Sequence, residues 1–530
     1  MAKLYTGTYG AGTTAENALN TALMQHPEIA RTLIQQYPRY AATYLLERTG
    51  RYAKEKVLGD NSFEWKVMGR YNAPTYMLGW ISTDGSAWAA ENGSSGTGAA
   101  DADADLVLNN ADADGNAIYL ATDGADSART GNFLNKWDMV RFQSGAVGLV
   151  VEDPVAMVAL SSSGNASAST TSDFYIKVEL VDGTNNPLKC SDITDNAILA
   201  SIGSAFPNGS DGADVGENWV YPSTHTNWLT TMRKKCSVTG KDLTDVTWIE
   251  NNGSKLWYFT REQQMMDEFM YQQELQRWYG RKTAQDSDGT VISAIGRPGA
   301  YSSSALGTSG TMATSAVTGD GLLAQINSSN QASYSMGSLT EDIITEFIAK
   351  ISLNATSAEG NEWVVFTGTE GRLAFHRAMK DLIVAPAGAM SGGSMNGVNG
   401  DVHLGANFAS YSALGNKITV AHNPVFDDPN LHSTAGGTNS FGDNRLKESA
   451  KMVFLDFGKT SGISNIELVT KGAEGINRSM IKKYVAGMVN PYDQKAMLAA
   501  NADDKFECHV LSETGIVVRN PLSCGILSAS

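Results

Sequence analysis

Residues 260–282 read TREQQMMDEFMYQQELQRWYGRK, and the architecture follows from how this stretch folds. Thr260 and Gln263 stand at capping-box spacing, Thr-x-x-Gln, which satisfies free amides at a helix start. Glu262, Asp267 and Glu268 fall in the first half, and Arg277, Arg281 and Lys282 crowd the end. That order complements a helix dipole. Met265, Met266, Phe269, Met270, Leu275 and Trp278 recur mainly at three- and four-residue steps, giving a broad apolar stripe. Gly280 offers a stop. The spacing predicts a helix from Arg261 to Tyr279, about 28 Å long at about 1.5 Å per residue, with its Gln and Glu side chains solvated. Nothing on it suggests chemistry. It reads as a brace in a chain otherwise full of short strands and glycine-rich loops.

Length and composition bound what the brace can serve. With 530 residues the chain has room for two to four domains, and 42% hydrophobic with 18% charged residues describes a globular protein. No apolar run approaches a membrane span, and the first residues lack the apolar core of a signal peptide. Cys190, Cys236, Cys508 and Cys524 are scattered, so they read as reduced thiols of a cytosolic product rather than a disulfide frame or zinc knuckle. The net charge of -16 is unevenly placed: residues 61–230 hold seven basic and twenty-one acidic side chains. Such a balance argues against a duplex or single-strand nucleic-acid binder, which needs a basic footprint.

Along the chain, residues 13–56 read as short helices broken by Pro27 and Pro38, each too short to stand alone in water. Phe63, Trp65 and Val67 alternate with Glu64, Lys66 and Met68, a strand pattern, and an apolar run follows at Tyr76–Ile81. Low-complexity sequence with Asp101, Asp103, Asp105, Asp112 and Asp114 separates these from strands at Trp137–Phe142 and Val147–Val151, and Phe174–Val181 alternates again. After a Ser/Gly/Ala/Thr loop at 283–318, Ser338-Leu-Thr-Glu341 is a capping box for a helix that turns Ile343, Ile344, Phe347, Ile348 and Ile351 inward. Strand Trp363–Phe366 and helix Glu370–Leu382, with Leu373, Ala374, Ala378 and Leu382 on one face, complete an α/β unit. Further strands are expected at Ile418–Ala421, Met452–Phe457 and Ile466–Val469. The tail, with strands at Phe506–Leu511 and Ile516–Val518, has too few residues for its own core.

The search for chemistry returns structural readings. Asp101, Asp103 and Asp105 are followed by Leu106, and the twelfth position holds Asp112 where a calcium loop places a glutamate, so a solvated acidic loop fits better. No phosphate loop, G-x-S-x-G elbow or H-E-x-x-H occurs. The seven histidines show no ligand spacing. His422-Asn423-Pro424 with Asp427 and Asp428 is a polar cluster best read as a turn rather than a catalytic pair. No catalytic, cofactor-binding or metal-ligating residues are expected, and the chain does not read as an enzyme. The aromatic strands 63–81 could be a binding face or a ribbon laid on a neighbour.

The order of parts resembles the major capsid proteins of tailed bacteriophages, the Hong Kong 97 type of α+β fold, and among them those of crAss-like podoviruses. The matching features are Ala15–Lys56 as an N-terminal arm, Phe63–Arg70 and Trp137–Val151 as limbs of an extended loop, and Asn227, Thr230, Arg233 and Thr239-Gly240 as lead-in. The helix with Glu274 and Gly280 then matches the spine, and Gly321–Ile326 through Trp363–Gly368 the opening of the axial domain. The resemblance implies an arm at 1–60, an extended β-hairpin loop with an acidic insertion at 61–152, and a peripheral domain at 153–318 with the spine helix at 260–282. An axial domain at 319–490 and a C-terminal return at 491–530 complete the implied plan. It also implies self-assembly into pentamers and hexamers, an icosahedral shell enclosing double-stranded DNA without sequence-specific binding, portal and decoration proteins as partners, assembly in a bacterial host cytoplasm, and no membrane. An encapsulin-like bacterial compartment shell and a calcium- or carbohydrate-binding surface protein are the other readings.

Overall fold

The structure is a computed structural model. It describes residues 50–54, 62–68, 75–81, 88–90, 117–122, 133–156, 174–182, 192, 197–209, 221–243, 246–251, 254–282, 318–353, 362–379, 410–428, 431–432, 435–438, 444–460, 463–473, 476–492 and 499–530. The expected arm helices up to residue 49, the aspartate run 101–114, the loop 283–317 and the glycine-rich stretch 387–400 lie outside the described residues. The chain divides into two compact units: Lys66–Ser223, and Met1–Trp65 together with Thr224–Ser530.

Lys66–Ser223 is built on one eight-stranded sheet. Its path runs Ile198–Ser204, Asp138–Arg141, Val147–Val150, Phe174–Leu180, Ala117–Thr122, Thr75–Ile81, Trp88–Ala90, with Val155–Ala156 paired to Phe174–Leu180. Ile198 and Leu199 also pair with Tyr76 and Thr75, so the sheet closes on itself and leaves fewer open edges. Met77, Val140, Phe142, Val150, Ile176, Val178 and Leu199 fill its interior. The strand expected at 137–142 and the one at 147–151 are present as Asp138–Arg141 and Val147–Val150. They pair with each other rather than acting as the far limb of a ribbon begun at Phe63. That expectation is corrected here: Val140 and Val150 are drawn into this core, and the partner of strand Ser62–Val67 is Ser223–Trp228. The boundary drawn from sequence at 152/153 passes through this sheet.

In the second unit the labelled elements are β1 (Gly50–Lys54), β2 (Ser62–Val67), β3 (Ser223–Trp228), β4 (Thr230–Thr239) and helix α1 (Trp257–Tyr279). Next come β5 (Gln331–Tyr334), α2 (Glu341–Ser352), β6 (Glu362–Thr367), α3 (Thr369–Met379), β7 (Ser410–Ala413) and β8 (Asn416–His422). The last are β9 (Met452–Asp456), β10 (Ile466–Ala473), β11 (Ile481–Ala486), β12 (Lys505–Val518) and β13 (Gly525–Ala529). One sheet has the path β1-β10-β12-β4, with β11 added beside β12. The other has the path β5-β13-β9-β6-β8-β7 and mixes parallel and antiparallel pairs. Residues 50–54 form a strand parallel to β10, where the sequence predicts helical spacing around Tyr52. Phe506–Leu511 and Ile516–Val518 are one continuous strand, β12, and the chain then enters the second sheet as β13. The tail therefore belongs to both sheets.

Helix α2 is opened by Thr340, whose hydroxyl accepts from the amide of Ile343, and not by Ser338. It buries Ile344, Phe347, Ile348 and Ile351, four of the five isoleucine and phenylalanine positions expected inward. Helix α3 turns Gly371, Phe375 and Met379 to the core, while Leu373 is exposed. Ala374 and Ala378 pack partly buried against the same core, as expected, but Leu373 does not, because the larger Phe375 and Met379 remove more apolar area from water and set the centre of the face; Leu382 lies outside the described residues.

Helix α1 bridges the two cores. Tyr258, Met265 and Phe269 pack against Cys236, Val238, Phe506, Cys508 and Val510 of the first sheet. One helical stretch later Trp278 packs against Val364, Phe366, Val453 and Leu455 of the second. Its ring meets those of Phe366 and Phe426 edge-on at 5.3 and 5.2 Å. Burying Phe269 alone stabilises by about 2–3 kcal/mol. The helix starts at Trp257, not at the predicted capping pair Thr260/Gln263, because Tyr258 is fully buried against Phe506 and so recruits an extra turn. At 23 residues it is about 35 Å long.

Candidate functional site

Two side chains that the sequence reading assigns to solvent, Glu262 and Glu274, are buried on α1. Each sits where one half of the helix meets its sheet. Glu262 accepts from Tyr484 Oη at 2.9 Å and from Tyr492 Oη at 2.5 Å, and it pairs with Lys482. Burial pushes its carboxyl up, but the hydrogen bonds from Lys482, Tyr492 and Tyr484 outweigh that and hold it below the ordinary glutamate value. Burial, reinforced by the nearby Glu262 charge, raises the Tyr258 hydroxyl and pushes the Cys508 thiol up to about 11. Glu274 takes a 2.6 Å bond from Trp278 Nε1, and burial raises its carboxyl despite Arg277 at 3.8 Å. A helix face of this kind carries little amphipathic signal, since its interior positions alternate between apolar and polar groups.

The most elaborate contact lies at the end of α1. Three glycines let backbones meet there. A Cβ on Gly280 would lie 2.5 Å from Gln276 O and one on Gly321 2.8 Å from Arg277 O. A Cβ on Gly319 would press directly into Trp228 O. Around them Asn227, 1% exposed, makes four bonds. Its Oδ1 accepts from the amides of Trp228 and Asp320, both at 2.8 Å. Its Nδ2 donates to the carbonyls of Asp320 and Ile516, both at 3.0 Å. Gln325 Nε2 reaches the same two carbonyls at 2.9 Å, and its Oε1 accepts from Val518 N at 2.9 Å. Thr230 Oγ1 accepts from Gly319 N at 2.9 Å and from Gln276 Nε2 at 3.2 Å. Asp320 Oδ1 accepts from Lys282 N at 2.7 Å. The end of β3, the start of β4, the end of α1, the entry to the second sheet and β12 are thus locked together through backbone groups.

Of the residues the sequence singles out, Asn227, Thr230, Gly280 and the Gly321–Ile326 segment meet in this junction. Arg233 does not: it stands exposed on β4. Gly240 lies beside Asp504, its amide bonded to that residue's carbonyl at 3.1 Å. The signal that could have found the junction is the glycine triplet itself, Gly280, Gly319 and Gly321, flanking an Asp and preceded by a helix. Gln325 has no distinguishing signal.

The His422 cluster is a turn. Pro424–Asp427 forms a 3-10 turn capped by Asn423. Asp427 caps the start of α3, accepting from Thr369 N at 2.8 Å, Ser449 Oγ at 2.5 Å and His422 Nε2 at 2.7 Å. Although burial works against it, these donors, His422 first, hold its carboxyl below the ordinary aspartate value. Asp428 accepts from Tyr271 of α1 at 2.7 Å. Phe63 and Trp65 of β2 stack with centroids 6.0 Å apart and cover Leu229, Val469 and Val517, so this part of the aromatic strand is spent within its own unit. Among the described residues no group of His, Cys, Asp and Glu is placed to hold a metal, and no helix is long and apolar enough to cross a membrane.

A search of curated proteins returns no match. Among solved structures the chain is similar to the capsid of cyanophage Pam1 at 12% identity and TM-score 0.31, covering 62% of this chain and 82% of that one. It is also similar to the capsid of cyanophage P-SCSP1u at 10% identity and TM-score 0.30, covering 62% and 80%. The SrpI encapsulin of Synechococcus elongatus PCC 7942 gives 10% identity and TM-score 0.30, covering 58% and 77%. These superpositions are shallow. A family model described as the Crassvirus major capsid protein matches residues 163–530, which includes the second sheet, all of the first sheet but β1, and α1 with its junction. The chain therefore belongs to the Crassvirus major capsid protein family, and it is a structural protein of the virion capsid rather than an enzyme.

Proposed function

We propose that this chain is the repeating subunit of an icosahedral shell of the Hong Kong 97 type, forming pentamers and hexamers that close around double-stranded DNA without reading its sequence. The observation that carries this is α1 seated on two cores, with the C-terminal chain passing through both sheets, in a member of a capsid family. On this reading β1-β10-β12-β4 belongs to the peripheral domain and the sheet containing β6 and β9 to the axial domain, so that of the span 319–490 expected for the axial domain β10 and β11 go to the peripheral sheet. Residues 1–60 are an arm, 491–530 the C-terminal return, and Lys66–Ser223 stands where the extended loop and its insertion are expected. Shells of this sort use heterologous contacts, one patch meeting a different patch on the next copy, which close into rings. Portal and decoration proteins are further partners, and the host bacterial cytoplasm is where the shell assembles. The family match favours a viral shell over an encapsulin-like compartment. Light scattering and negative-stain imaging of the expressed protein test the proposal: rings or closed particles are expected, and a compact monomer at high concentration overturns it.

A further inference from the structure

The chain carries sixteen more negative than positive charges, yet one surface of the first sheet is basic. Strand β12 alternates cleanly: Phe506, Cys508 and Val510 face α1, while Lys505, Glu507, His509, Leu511 and Glu513 face away. Register carries that outward face onto both neighbours. Leu511 lies between Arg233 of β4 and Ile481 of β11, and His509 between Lys235 and Lys483. Arg478 is bonded to Glu513 at 2.7 Å by two nitrogens, and Lys471 adds its charge to the same carboxylate. Glu507 is shared by Lys505 at 3.0 Å, His509 at 3.0 Å and Lys235 at 4.0 Å. Among the described residues the face thus sets Arg233, Lys235, Lys471, Arg478, Lys483 and Lys505 against Glu507, Glu513 and, at its edge, Asp503, which meets Lys505 at 3.4 Å. Arg233 and Lys483 are exposed and have no carboxylate partner among the described residues.

The other end of the same face is different in kind. There Phe63 and Trp65 of β2 lie over Leu229, Val469 and Val517, and a Cβ on Gly515 would lie 2.8 Å from Phe63 Cε1. The sheet is covered where it is apolar and bare where it is cationic. Outward residues repeat at about 6.8 Å along a strand and rows lie about 4.8 Å apart, which makes a cationic grid. Its cations are point or fork donors, and His509 is the one ring named among them, a set that meets phosphates rather than base edges.

We propose that this outward face of β4, β12 and β11 is a phosphate-contact surface for the duplex DNA that the shell encloses. The inference rests on the shell reading above. It also resolves how an acidic subunit can hold a polyanion: repulsion is general, and attachment is local to one sheet face.

The test uses the full-length chain, unassembled at low concentration, with a short fluorescent duplex of mixed sequence read by anisotropy over a salt series. A variant carrying R233Q, K235Q and K483Q is compared with one carrying K350Q, R372Q and K417Q, which makes the same charge change elsewhere; melting checks that both fold. The expected result is salt-dependent binding by the native chain, with a log–log slope reduced by about 2.7 in the first variant, at about 0.9 per phosphate contact, and little changed in the second. K483Q alone should lower the slope by about 0.9, which keeps the test open if the triple variant misfolds. No binding at low salt, equal loss in both triple variants, or normal binding with failed particle formation in the first variant overturns the proposal. The last outcome would make the face a contact between copies. Particle imaging of the native chain reads the shell proposal separately, so particles that form while the duplex is ignored sink this inference alone.

Discussion

Asn227 offers the sharpest test of the junction. Its side-chain amide can be oriented only one way, since Oδ1 faces two amides and Nδ2 faces two carbonyls. Replacing it with alanine removes four bonds at a site 1% exposed. Bonds of this kind contribute about 1 kcal/mol each, and stranded buried partners cost about 1–3 kcal/mol each. Gln325 still serves the carbonyls of Asp320 and Ile516, so the amides of Trp228 and Asp320 bear the main loss. Asn227→Ala should therefore cost about 3–4 kcal/mol, measured by denaturant unfolding of the unassembled chain. Asn227→Asp keeps the acceptor but points a carboxylate oxygen at two carbonyls. The folded state then favours the protonated acid, so that aspartate's pKa rises above its unfolded value of about 3.9. For a raised acid the penalty is present at neutral pH and fades as pH falls through the folded pKa, and each tenfold gain in proton affinity on folding is worth about 1.4 kcal/mol of it. The difference in stability between the Asp variant and the native chain should shrink on mild acidification, while the Ala difference stays flat. An Ala cost below about 1 kcal/mol, or an Asp cost indifferent to pH, would refute the claim that this residue holds the junction.

Other expectations follow from the same chemistry. Glu262 is held below the ordinary glutamate value, so its contribution is present above about pH 4.3 and is lost as pH falls through its lower folded pKa. Glu262→Gln should cost on the order of 1–3 kcal/mol at neutral pH and make the acid limb of the unfolding curve shallower; an unchanged limb counts against the assignment. The Cys508 and Cys524 thiols are pushed by burial up to about 11 and about 12. Iodoacetamide followed by mass spectrometry should label neither until denaturant is added, and native-state labelling of Cys508 would contradict the packing of α1 on β12.

Much of this fold is legible in the residues, and the misses share a cause. Alternation marks β12 because one face meets α1 and the other faces away, and Met452–Phe457 reads as apolar because β9 is covered on both faces. Helix α1 shows its presence but not its surroundings. Met270 looks like core and is 46% exposed, while Glu262, Gln273 and Glu274 look like surface and are buried. A helix clamped between two sheets meets polar neighbours as well as apolar ones, and the tyrosines that satisfy Glu262 lie more than two hundred residues away in sequence. The register of β2 with β3 is hidden for the same reason, since a strand pattern states that a residue pairs but not with what. The junction is half visible: its glycines and Asn227 stand out, but Gln325 acquires its role only because β12 returns to it.

That junction also limits how the subunit can deform. A rotation of the second sheet against the first about the end of α1 would strip Asn227 from the backbone of Asp320 and Gln325 from Ile516 O and Val518 N. It would also open the Gly321 N to Gly280 O bond at 2.9 Å and draw Trp278 from between Phe366 and Phe426. Each backbone group stranded in the interior costs about 1–3 kcal/mol, and the ring contacts add about 0.5–1.5 kcal/mol apiece. The sum rivals the whole stability of a domain, about 5–15 kcal/mol. Helix α1 and its two sheets therefore move as one block, and a change of curvature between neighbouring subunits has to be absorbed outside it.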